Sequence, residues 1–457
     1  MNVIILGSGQ VGSTVAHSLA DEQNDITVVD LDPGPLQALQ EQIDIRTVVG
    51  PASSPRVLEE AGAKNADLLL AATNSDETNM LACQVAHTLF RVPTLIARIR
   101  SADYLADPAL FKEGGIPIDV LISPEQLVTR HVRLLIEYPS AVQIREFAGG
   151  RAVLVEIRAA AGSPAVGRSI GGLADRLPGV PFRVVAVYRG DSSVTIDGPT
   201  VIEADDDVFL VTVPDQIRRV ASEFRQLALP CRRVMIAGGG HVGMGLARAL
   251  ESDAAVKVIE HNRARAEYLA EALDSAVVLQ GDATDKSLLA DEAIEGVDVF
   301  CSLTNDDEDN IMAALMAKRL GARRVIALIN RPTYVELMEN SAIDVVVAPQ
   351  LITMGAILPH VRRGDVVAAH SLRGGASEAL EAVVHGDLKT SKVAGRRVRD
   401  IALPPTASIA AIVRGTKVMM ASGDTSVETD DHVILLLGDK HHLRELERLF
   451  QVGVLYL

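Results

Sequence analysis

The sequence predicts an α/β protein built as a tandem duplication. Each half is read as a Rossmann-like doubly wound parallel sheet followed by a small, mainly antiparallel α+β lobe. Three observations carry this. Short runs of Val, Ile and Leu alternate with helical patterns over about the first 130 positions, as when parallel strands are joined by crossover helices. A glycine-rich turn, Gly7-Ser8-Gly9-Gln10-Val11-Gly12, follows directly on the apolar run Asn2–Leu6. The chain also repeats itself. Val3–Gly12 returns as Val234–Gly243, and at the same spacing Thr73–Asn79 returns as Thr304–Asn310 and Val49–Ser53 as Gln280–Thr284. Matched blocks at one spacing mark an internal repeat, with the second half opening near Cys231.

Taken in order, the alternation predicts strands over 2–6, 25–30, 45–49, 67–72, 94–99 and 118–122. Helices are expected over 11–22, 33–41, 54–62, 77–90, 103–113 and 124–137. Ser123-Pro124-Glu125 reads as an N-cap followed by proline at the first helical position, and Ala348-Pro349-Gln350 keeps the proline in the second half. The rest of each half is strand-rich. Val153–Ile157 and Val208–Val213 read as strands, with turns at Arg189-Gly190-Asp191 and Asp197-Gly198-Pro199 and a closing helix over 215–227. Val184–Gly190 is echoed by Ile409–Gly415, Ala204–Leu210 by Thr429–Leu435, and the closing helix by Lys440–Phe450. The expected lobes are 1–138, 139–228, 229–363 and 364–457.

Composition narrows the function classes. The 457 residues carry 44 Lys plus Arg against 60 Asp plus Glu, a net charge of −16. Such an acidic chain argues against nucleic-acid binding, which needs a basic face to neutralise phosphates. Three scattered cysteines, Cys83, Cys231 and Cys301, offer neither a disulfide framework nor a cysteine-rich zinc site, so a reduced cytosolic compartment is expected. The first strand begins at once, leaving no room for a signal peptide. The longest charge-free apolar stretch, Val345–Val361, contains Pro349, Gln350, Pro359 and His360. A spanning helix needs about 20 mostly apolar residues, so this stretch reads as a strand end plus a buried helix. Work at a membrane would go through a partner.

The strand–turn–helix setting turns the glycine pattern into a candidate dinucleotide loop. Gly7 permits the tight turn, Gly9 lets backbone approach a pyrophosphate, and Gly12 lets the helix pack on the strand. The helix N-terminus offers unpaired N–H groups and a positive dipole end. The next strand ends in Asp30, placed to accept hydrogen bonds from the adenosine ribose and to repel a 2′-phosphate, which favours NAD or NADH over NADP. The second half offers Gly238, Gly239, Gly240, His241, Val242 and Gly243 with Glu260, and His261, Arg263 and Arg265 nearby can soften that preference. Thr73-Asn74 and Thr304-Asn305 fall at the end of the fourth strand, which borders the crevice. There they can bond a cofactor, cap the following helix, or both. Arg98, on the fifth strand, is a cation for phosphate or ribose oxygens or one half of an ion pair. The second repeat has Ala327-Leu328-Ile329 there, so the two sites are expected to differ. Asp306-Asp307-Glu308-Asp309 is oxygen-rich enough for Ca²⁺ or Mg²⁺. The first half has only Asp76 and Glu77 there, however, and helix-start acidity explains the run without a metal. Met419, Met420, Met312 and Met316 read as core filling, and Arg130 and Arg133 around His131 as a solvated helix face.

These residues resemble a known family. The tandem pattern, with Gly7–Gly12, Ser75-Asp76-Glu77-Thr78-Asn79-Met80, Ile96-Ala97-Arg98-Ile99-Arg100, Leu135-Ile136-Glu137-Tyr138-Pro139 and Leu446–Phe450, is similar to the TrkA family. These are the cytosolic regulatory subunits of bacterial Trk potassium-uptake systems. The resemblance implies two RCK modules, each an N-lobe of Rossmann type and a C-lobe. It implies NAD(H), and in some members ATP or ADP, in the N-lobes, and assembly into a dimer or tetrameric ring beneath a membrane transporter of the TrkH or TrkG type. Carried over, the cofactor contacts are Gly7 to Val11, Asp30, Thr73, Asn74 and Arg98, and in the second half Gly238 to Val242, Glu260, Thr304 and Asn305. The family's Gly-Asp-Ala pattern is kept at Gly281-Asp282-Ala283 but replaced by Gly50-Pro51-Ala52 in the first half, which alters the surroundings of the adenine.

The leading expectation is therefore a ligand-gated regulator and not an enzyme. A dehydrogenase would need an acid or base beside the nicotinamide. The counterpart of His241 in the first glycine loop is Gln10, and His360, His370 and His385 belong to no paired motif. A regulator of another cation channel or antiporter would use the same modules.

Overall fold

The computed structural model describes all residues except 21–23, 113, 191, 227–230, 339–340, 362–364, 373–376 and 452–457. The ends of the helices expected at 11–22, 103–113 and 215–227, the turn residue Asp191 and the lobe joints at 228/229 and 363/364 lie outside the described residues.

The first half opens with β1 (Asn2–Leu6), α1 (Gln10–Ala20), β2 (Asp25–Asp30), α2 (Pro33–Gln40), β3 (Arg46–Val49) and α3 (Pro55–Glu60). It continues with β4 (Leu68–Ala71), α4 (Asp76–Val85), β5 (Thr94–Arg98), α5 (Ala102–Ala106), β6 (Val120–Ile122) and α6 (Pro124–Glu137). The strands form one six-stranded sheet in the order β3-β2-β1-β4-β5-β6. The recorded pairs are parallel, with Val3 opposite Ile26 on one side and Leu68 on the other. Strand order reverses between β1 and β4, so the ligand crevice of such a sheet opens outside the C-terminal ends of these strands. The central strands read as apolar runs because they are buried on both faces, β4, Leu68–Ala71, throughout, whereas the edge strands β3 and β6 are partly exposed.

Two helices depart from expectation. The helix expected over 77–90 is α-helical only to Val85 and then widens into a π-helical turn, Ala86–Phe90, closed by Arg91 at φ 56°. The helix expected over 103–113 is the short α5 followed by a 3₁₀ turn, Pro108–Phe111. Pro108 lacks an N–H and disfavours helix in the residue before it.

A five-stranded antiparallel sheet follows: β7 (Gln143–Phe147), β8 (Ala152–Arg158), β9 (Phe182–Arg189), β10 (Ser192–Val194) and β11 (Asp207–Thr212), with α7 (Ile170–Arg176) before β9 and α8 (Ile217–Phe224) after β11. The second half repeats the plan. Its parallel lobe is β12 (Arg233–Ala237), α9 (His241–Leu250), β13 (Ala255–Glu260), α10 (Arg263–Ala272), β14 (Val277–Gln280), α11 (Lys286–Asp291), β15 (Val299–Ser302), α12 (Asp307–Arg319), β16 (Arg324–Leu328), α13 (Pro332–Met338), β17 (Val345–Val347) and α14 (Pro349–Val361). Its antiparallel lobe is β18 (Val366–Leu372), β19 (Ser377–Val383), β20 (Ala407–Arg414), β21 (Lys417–Met420), β22 (His432–Leu437) and α15 (Leu443–Phe450). The parallel order β14-β13-β12-β15-β16-β17 reproduces that of the first half.

The chain forms two compact units, 1–128 with 349–361 and 129–348 with 362–457. In the first, α14 packs against α1 and β6, although it is coded after the second parallel sheet. In the second, the greater part of α6 joins the second half: Thr129 Oγ1 reaches the Val242 carbonyl at 3.4 Å, and the Arg324 guanidinium donates to the carbonyls of Leu135 and Ala141 at 2.5 Å. The two antiparallel sheets share one core, in which Phe147, Leu154 and Phe209 of one meet Ala411, Ile434 and Leu436 of the other. Each antiparallel lobe pins a turn with an arginine on a fully buried aspartate, Arg189 on Asp206 and Arg414 on Asp431.

Some surface and core readings change. Met312 is exposed rather than core, at 54%, because it faces outward on α12. Met316 and Met420 do pack against cores. Arg130 and Arg133 are exposed, but His131 between them is buried against Arg145. Cys83 and Cys301 are free and buried, and burial pushes both thiols up to about 12. They pack as small hydrophobes.

Candidate functional site

In the first parallel lobe the glycines do three separate jobs. Gly7 sits at φ 102°, where a side chain is strained. A Cβ on Gly12 would stand inside contact distance of the Gly7 carbonyl oxygen, so only glycine lets α1 lie this close to the turn. A Cβ on Gly9 meets nothing within 4 Å. The fold itself makes no demand for glycine there, and the space beside it is open. Gly9 and Gln10 are exposed, and Val11 is half-buried. The first-turn N–H groups of α1 have no acceptor within the helix.

Asp30 closes the turn from below. Its Oδ2 accepts from the Ser8 N–H and hydroxyl, both at 2.6 Å, and its Oδ1 from the Asp32 N–H at 3.1 Å. Partial burial raises its pKa, but the bonds from Ser8, Asp32 and Leu31 outweigh this and hold it below the usual carboxylate value. The acid is therefore ionised, half-exposed and fixed at the end of β2, where a ribose hydroxyl can reach it.

The second lobe builds the same turn differently. Gly238 is at φ 99°, and Gly243 is held to glycine by the Gly238 carbonyl just as Gly12 is by Gly7. Where the first loop has Ser8 above Asp30, the second has Gly239 above the longer Glu260. Glu260 Oε2 accepts from the Gly239 N–H at 2.8 Å, and its Oε1 from the Asn262 N–H at 2.8 Å. The room a side chain on Gly239 would need is taken by Leu269 Cδ1, with Glu260 Oε2 next to it. Gly240, the N-cap of α9, supplies no side-chain cap and has open space where a Cβ would be. His241 is exposed and Val242 half-buried at the helix start. Arg265 Nε donates to the Gly239 carbonyl at 2.8 Å and its guanidinium lies over the Tyr268 ring, while Arg263 pairs with Glu267. Asp282 is exposed beyond β14, bonded to the Thr284 N–H and hydroxyl, which lower its pKa.

At the ends of β4 and β15 the threonines are bound locally. Thr73 Oγ1 donates to Asn79 Oδ1 at 2.7 Å, and Thr304 Oγ1 to Asn310 Oδ1 at 2.8 Å. Asn74 and Asn305 are exposed. Neither pair caps the next helix: the N-caps are Ser75, bonded to the Thr78 N–H, and Asp306, bonded to the Asp309 N–H. Asn79 and Asn310 are the residues that sequence reasoning missed. Both are fully buried. Asn79 also accepts from the Thr73 N–H and donates to the Arg98 carbonyl; Asn310 does the same with Thr304 and Leu328. Each amide bolts two neighbouring strand ends together at the crevice. Asp76 and Asp307 add to this, accepting from the N–H groups of Arg100 and Ser101 and of Asn330 and Arg331. The acidity at 306–309 is thus one cap, one buried loop anchor, an ion pair from Glu308 to Arg331 and one exposed acid, Asp309. Arg98 lies beside this edge, with Nη2 on Glu125 Oε1 at 3.2 Å.

The chain was compared with known proteins. The TrkA-N domain matches residues 3–124 and 234–349, and the TrkA-C domain residues 154–225 and 388–451. The Trk system potassium uptake protein TrkA of Halomonas elongata is 53% identical over 456 residues, covering 100% of both chains. That of Vibrio alginolyticus is 51% identical, again over 100% of each. Among solved structures, a GsuK channel bound to NAD matches with a TM-score of 0.60 at 18% identity, over 98% of this chain and 79% of that one. The GsuK RCK domain matches equally, over 95% of its own length. These structures share the fold. With both domains present twice, and with relatives of this identity along its whole length, the chain belongs to the TrkA family of Trk-system potassium uptake proteins.

Proposed function

We propose that this protein is a nucleotide-sensing regulatory subunit. It binds NAD(H), and ATP or ADP, in its two parallel-sheet lobes and gates a membrane potassium-uptake transporter of the TrkH or TrkG type. The observation that carries the reading is the pair of glycine turns. Each has open space beside its middle glycine, an uncrowded helix start and a carboxylate fixed at the next strand end. This is the donor and acceptor set a nucleotide needs: N–H groups and a helix dipole for phosphates, an acid for ribose hydroxyls. Gly7, Ser8, Gly9, Gln10, Val11 and Gly12 with Asp30, Thr73, Asn74 and Arg98 would hold it in the first lobe. Gly238, Gly239, Gly240, His241, Val242 and Gly243 with Glu260, Asp282, Thr304 and Asn305 would do so in the second. The relatives are named as potassium uptake proteins, and GsuK has been solved bound to NAD and bound to ADP.

In this reading the nicotinamide is a signal and is not turned over. Its binding energy biases one arrangement of the lobes, with a coupling of about 1–3 kcal/mol, and the transporter's state acts back on nucleotide affinity by the same amount. Among the described residues no helix is long and apolar enough to cross a membrane. The subunit would act from the cytoplasmic face, self-associated as a dimer or tetrameric ring and held through the transporter. Calorimetric titration with NADH tests the ligand. Micromolar binding is expected at one or two sites per chain, with the near-ultraviolet absorbance of the reduced nicotinamide unchanged when hydroxy- and keto-acids are added. Consumption of NADH on adding such a substrate would replace the regulator with a dehydrogenase.

A further inference from the structure

We propose that the first lobe holds a second small-molecule site, at the edge of its sheet opposite the glycine turn, and that its ligand is a free acidic amino acid. A cavity of about 670 Å³ opens at the N-terminal ends of β5 and β6, lined by His87, Thr88, Arg91, Pro93 and Asp119 among others. That is the size of a small-molecule pocket. The second lobe shows what this place takes. There Lys318, near the end of α12, puts its ammonium on Asp344 Oδ2 at 2.6 Å and on the Arg323 carbonyl at 3.0 Å. Asp344 Oδ2 also accepts from the Val325 N–H at 2.8 Å. The first lobe keeps the carboxylate and loses the ammonium. Asp119 Oδ2 accepts from the Leu95 N–H at 2.7 Å, as Asp344 does from Val325, and Pro93 is the counterpart of Arg323. His87 stands in sequence where Lys318 does, but among the described residues it makes no ion pair with Asp119. His360 of α14, which feels the charge of Asp119, is held below its ordinary value by burial and is neutral at neutral pH. Asp119 is thus a fixed acceptor with Oδ1 left for an ammonium from outside the chain.

The anionic end of the ligand is marked by an insertion. Asn310 follows Asn79 by 231 positions, but Val325 follows Leu95 by 230, so the first half carries one extra residue between α4 and β5. The π-helical turn Ala86–Phe90 absorbs it. The Val92 N–H still bonds the Ala86 carbonyl, as the Ala322 N–H bonds that of Ala317. Single π-turns of this kind recur at functional sites. The turn is closed by Arg91 at φ 56°, where the second lobe has Gly321 at φ 108°. Glycine fills that conformation without strain and arginine does not, so the side chain has a use that offsets the strain. Arg91 is exposed at the cavity and, among the described residues, is in no ion pair. Thr88 Oγ1 accepts from Gln84 Nε2 at 2.9 Å, which leaves its hydroxyl proton to donate. One fixed carboxylate therefore shares the cavity with three donors, Arg91, His87 and Thr88. A ligand with one ammonium and two carboxylates satisfies both sets, and an α-amino acid with an acidic side chain is the smallest common molecule of that kind.

The test is calorimetric titration of the full chain with L-glutamate and with glutarate, both as sodium salts. Glutarate has the two carboxylates and no ammonium. Thermal melts show that each variant is folded. L-Glutamate is expected to bind at one site per chain, at least about tenfold tighter than glutarate, which leaves Asp119 without its partner. Arg91→Gly takes the residue of the second lobe and suits the left-handed turn. It is expected to melt no lower than the wild-type chain and to weaken L-glutamate at least about tenfold. Asp119→Asn keeps an acceptor for the Leu95 N–H and is expected to abolish the preference over glutarate. His87→Lys supplies the ammonium of the second lobe and is expected to close the site to L-glutamate. No binding of L-glutamate to the wild-type chain at about 10 mM, equal affinity for glutarate, or unchanged affinity in Arg91→Gly overturns the site. If His87→Lys fails to fold, Arg91→Gly and Asp119→Asn decide. The glycine turns lie at the other end of the strands, so their nucleotide reading is tested by NADH alone and does not depend on these outcomes.

Discussion

At the scale of the residue, the three glycines of the first turn separate what the fold requires from what a ligand requires. Gly12 is required by the fold, because any Cβ there collides with the Gly7 carbonyl. Gly12→Ala should cost about 3 kcal/mol or more, the upper range for overpacking against an unyielding backbone. Gly9 has open space instead, so Gly9→Ala should shift stability by less than about 1 kcal/mol while weakening NADH binding at least tenfold. Paired denaturant melts and titrations check this; equal loss of stability in the two variants would show that Gly9 is structural. The glycines and the acids Asp30 and Glu260 were legible because their roles follow from spacing alone. Asn79 and Asn310 were not, since nothing local marks an amide that will be buried between two strand ends. The signal was present all the same. Both copies of the repeated block keep asparagine at this position, and a polar residue held inside an otherwise apolar helix face needs a partner.

At the scale of the element, strand and helix positions were readable because burial on both faces forces continuous apolar runs in the central strands and the crossover helices force a 3.6-residue period. What periodicity does not say is which surface a helix will cover. The α6 pattern predicted a helix, but not that His131 would be buried against Arg145 of β7, close to His370 of β18. Burial, then the nearby Arg145 cation, holds His131 well below its ordinary value and His370 at about 3. Phe147 meets the His370 ring edge-on at 5.2 Å. Both rings are therefore neutral in the folded state at neutral pH. As pH falls below about 6.5 the unfolded chain takes up these protons and the folded chain does not. Stability present above that pH is thus lost on the way down, by about 1.4 kcal/mol per pH unit for each histidine until its folded pKa is reached. Denaturation midpoints between pH 7 and pH 5 should fall in the wild-type chain and fall less steeply in His370→Gln. An identical slope in the two would place the acid sensitivity elsewhere.

At the scale of the whole molecule, the duplication reads as two equal halves in sequence, yet the compact units do not follow the halves. The first unit is completed by α14, whose Met354, Ile357, Leu358 and Val361 are buried and which packs on α1 and β6. The second is completed by α6 from Thr129 onward. The physical reason is connectivity. A helix that follows the last strand of a parallel sheet need not return to that sheet, because no further strand has to be reached. Each half instead ends its parallel lobe with a proline-started helix that is free to pack elsewhere. A fragment of residues 1–226 would keep every strand of the first sheet and its glycine turn but lack α14, leaving the faces of α1 and β6 that it covers open to water. Burial of four large side chains at about 1.5–3 kcal/mol each is comparable with the entire stability of a domain, about 5–15 kcal/mol. The fragment is therefore expected to aggregate or to melt well below the full chain, and to recover on adding a peptide of residues 349–361. A fragment that melts cooperatively at the temperature of the full chain, with NADH affinity intact, would show that the first lobe is autonomous and that α14 is an accessory to it.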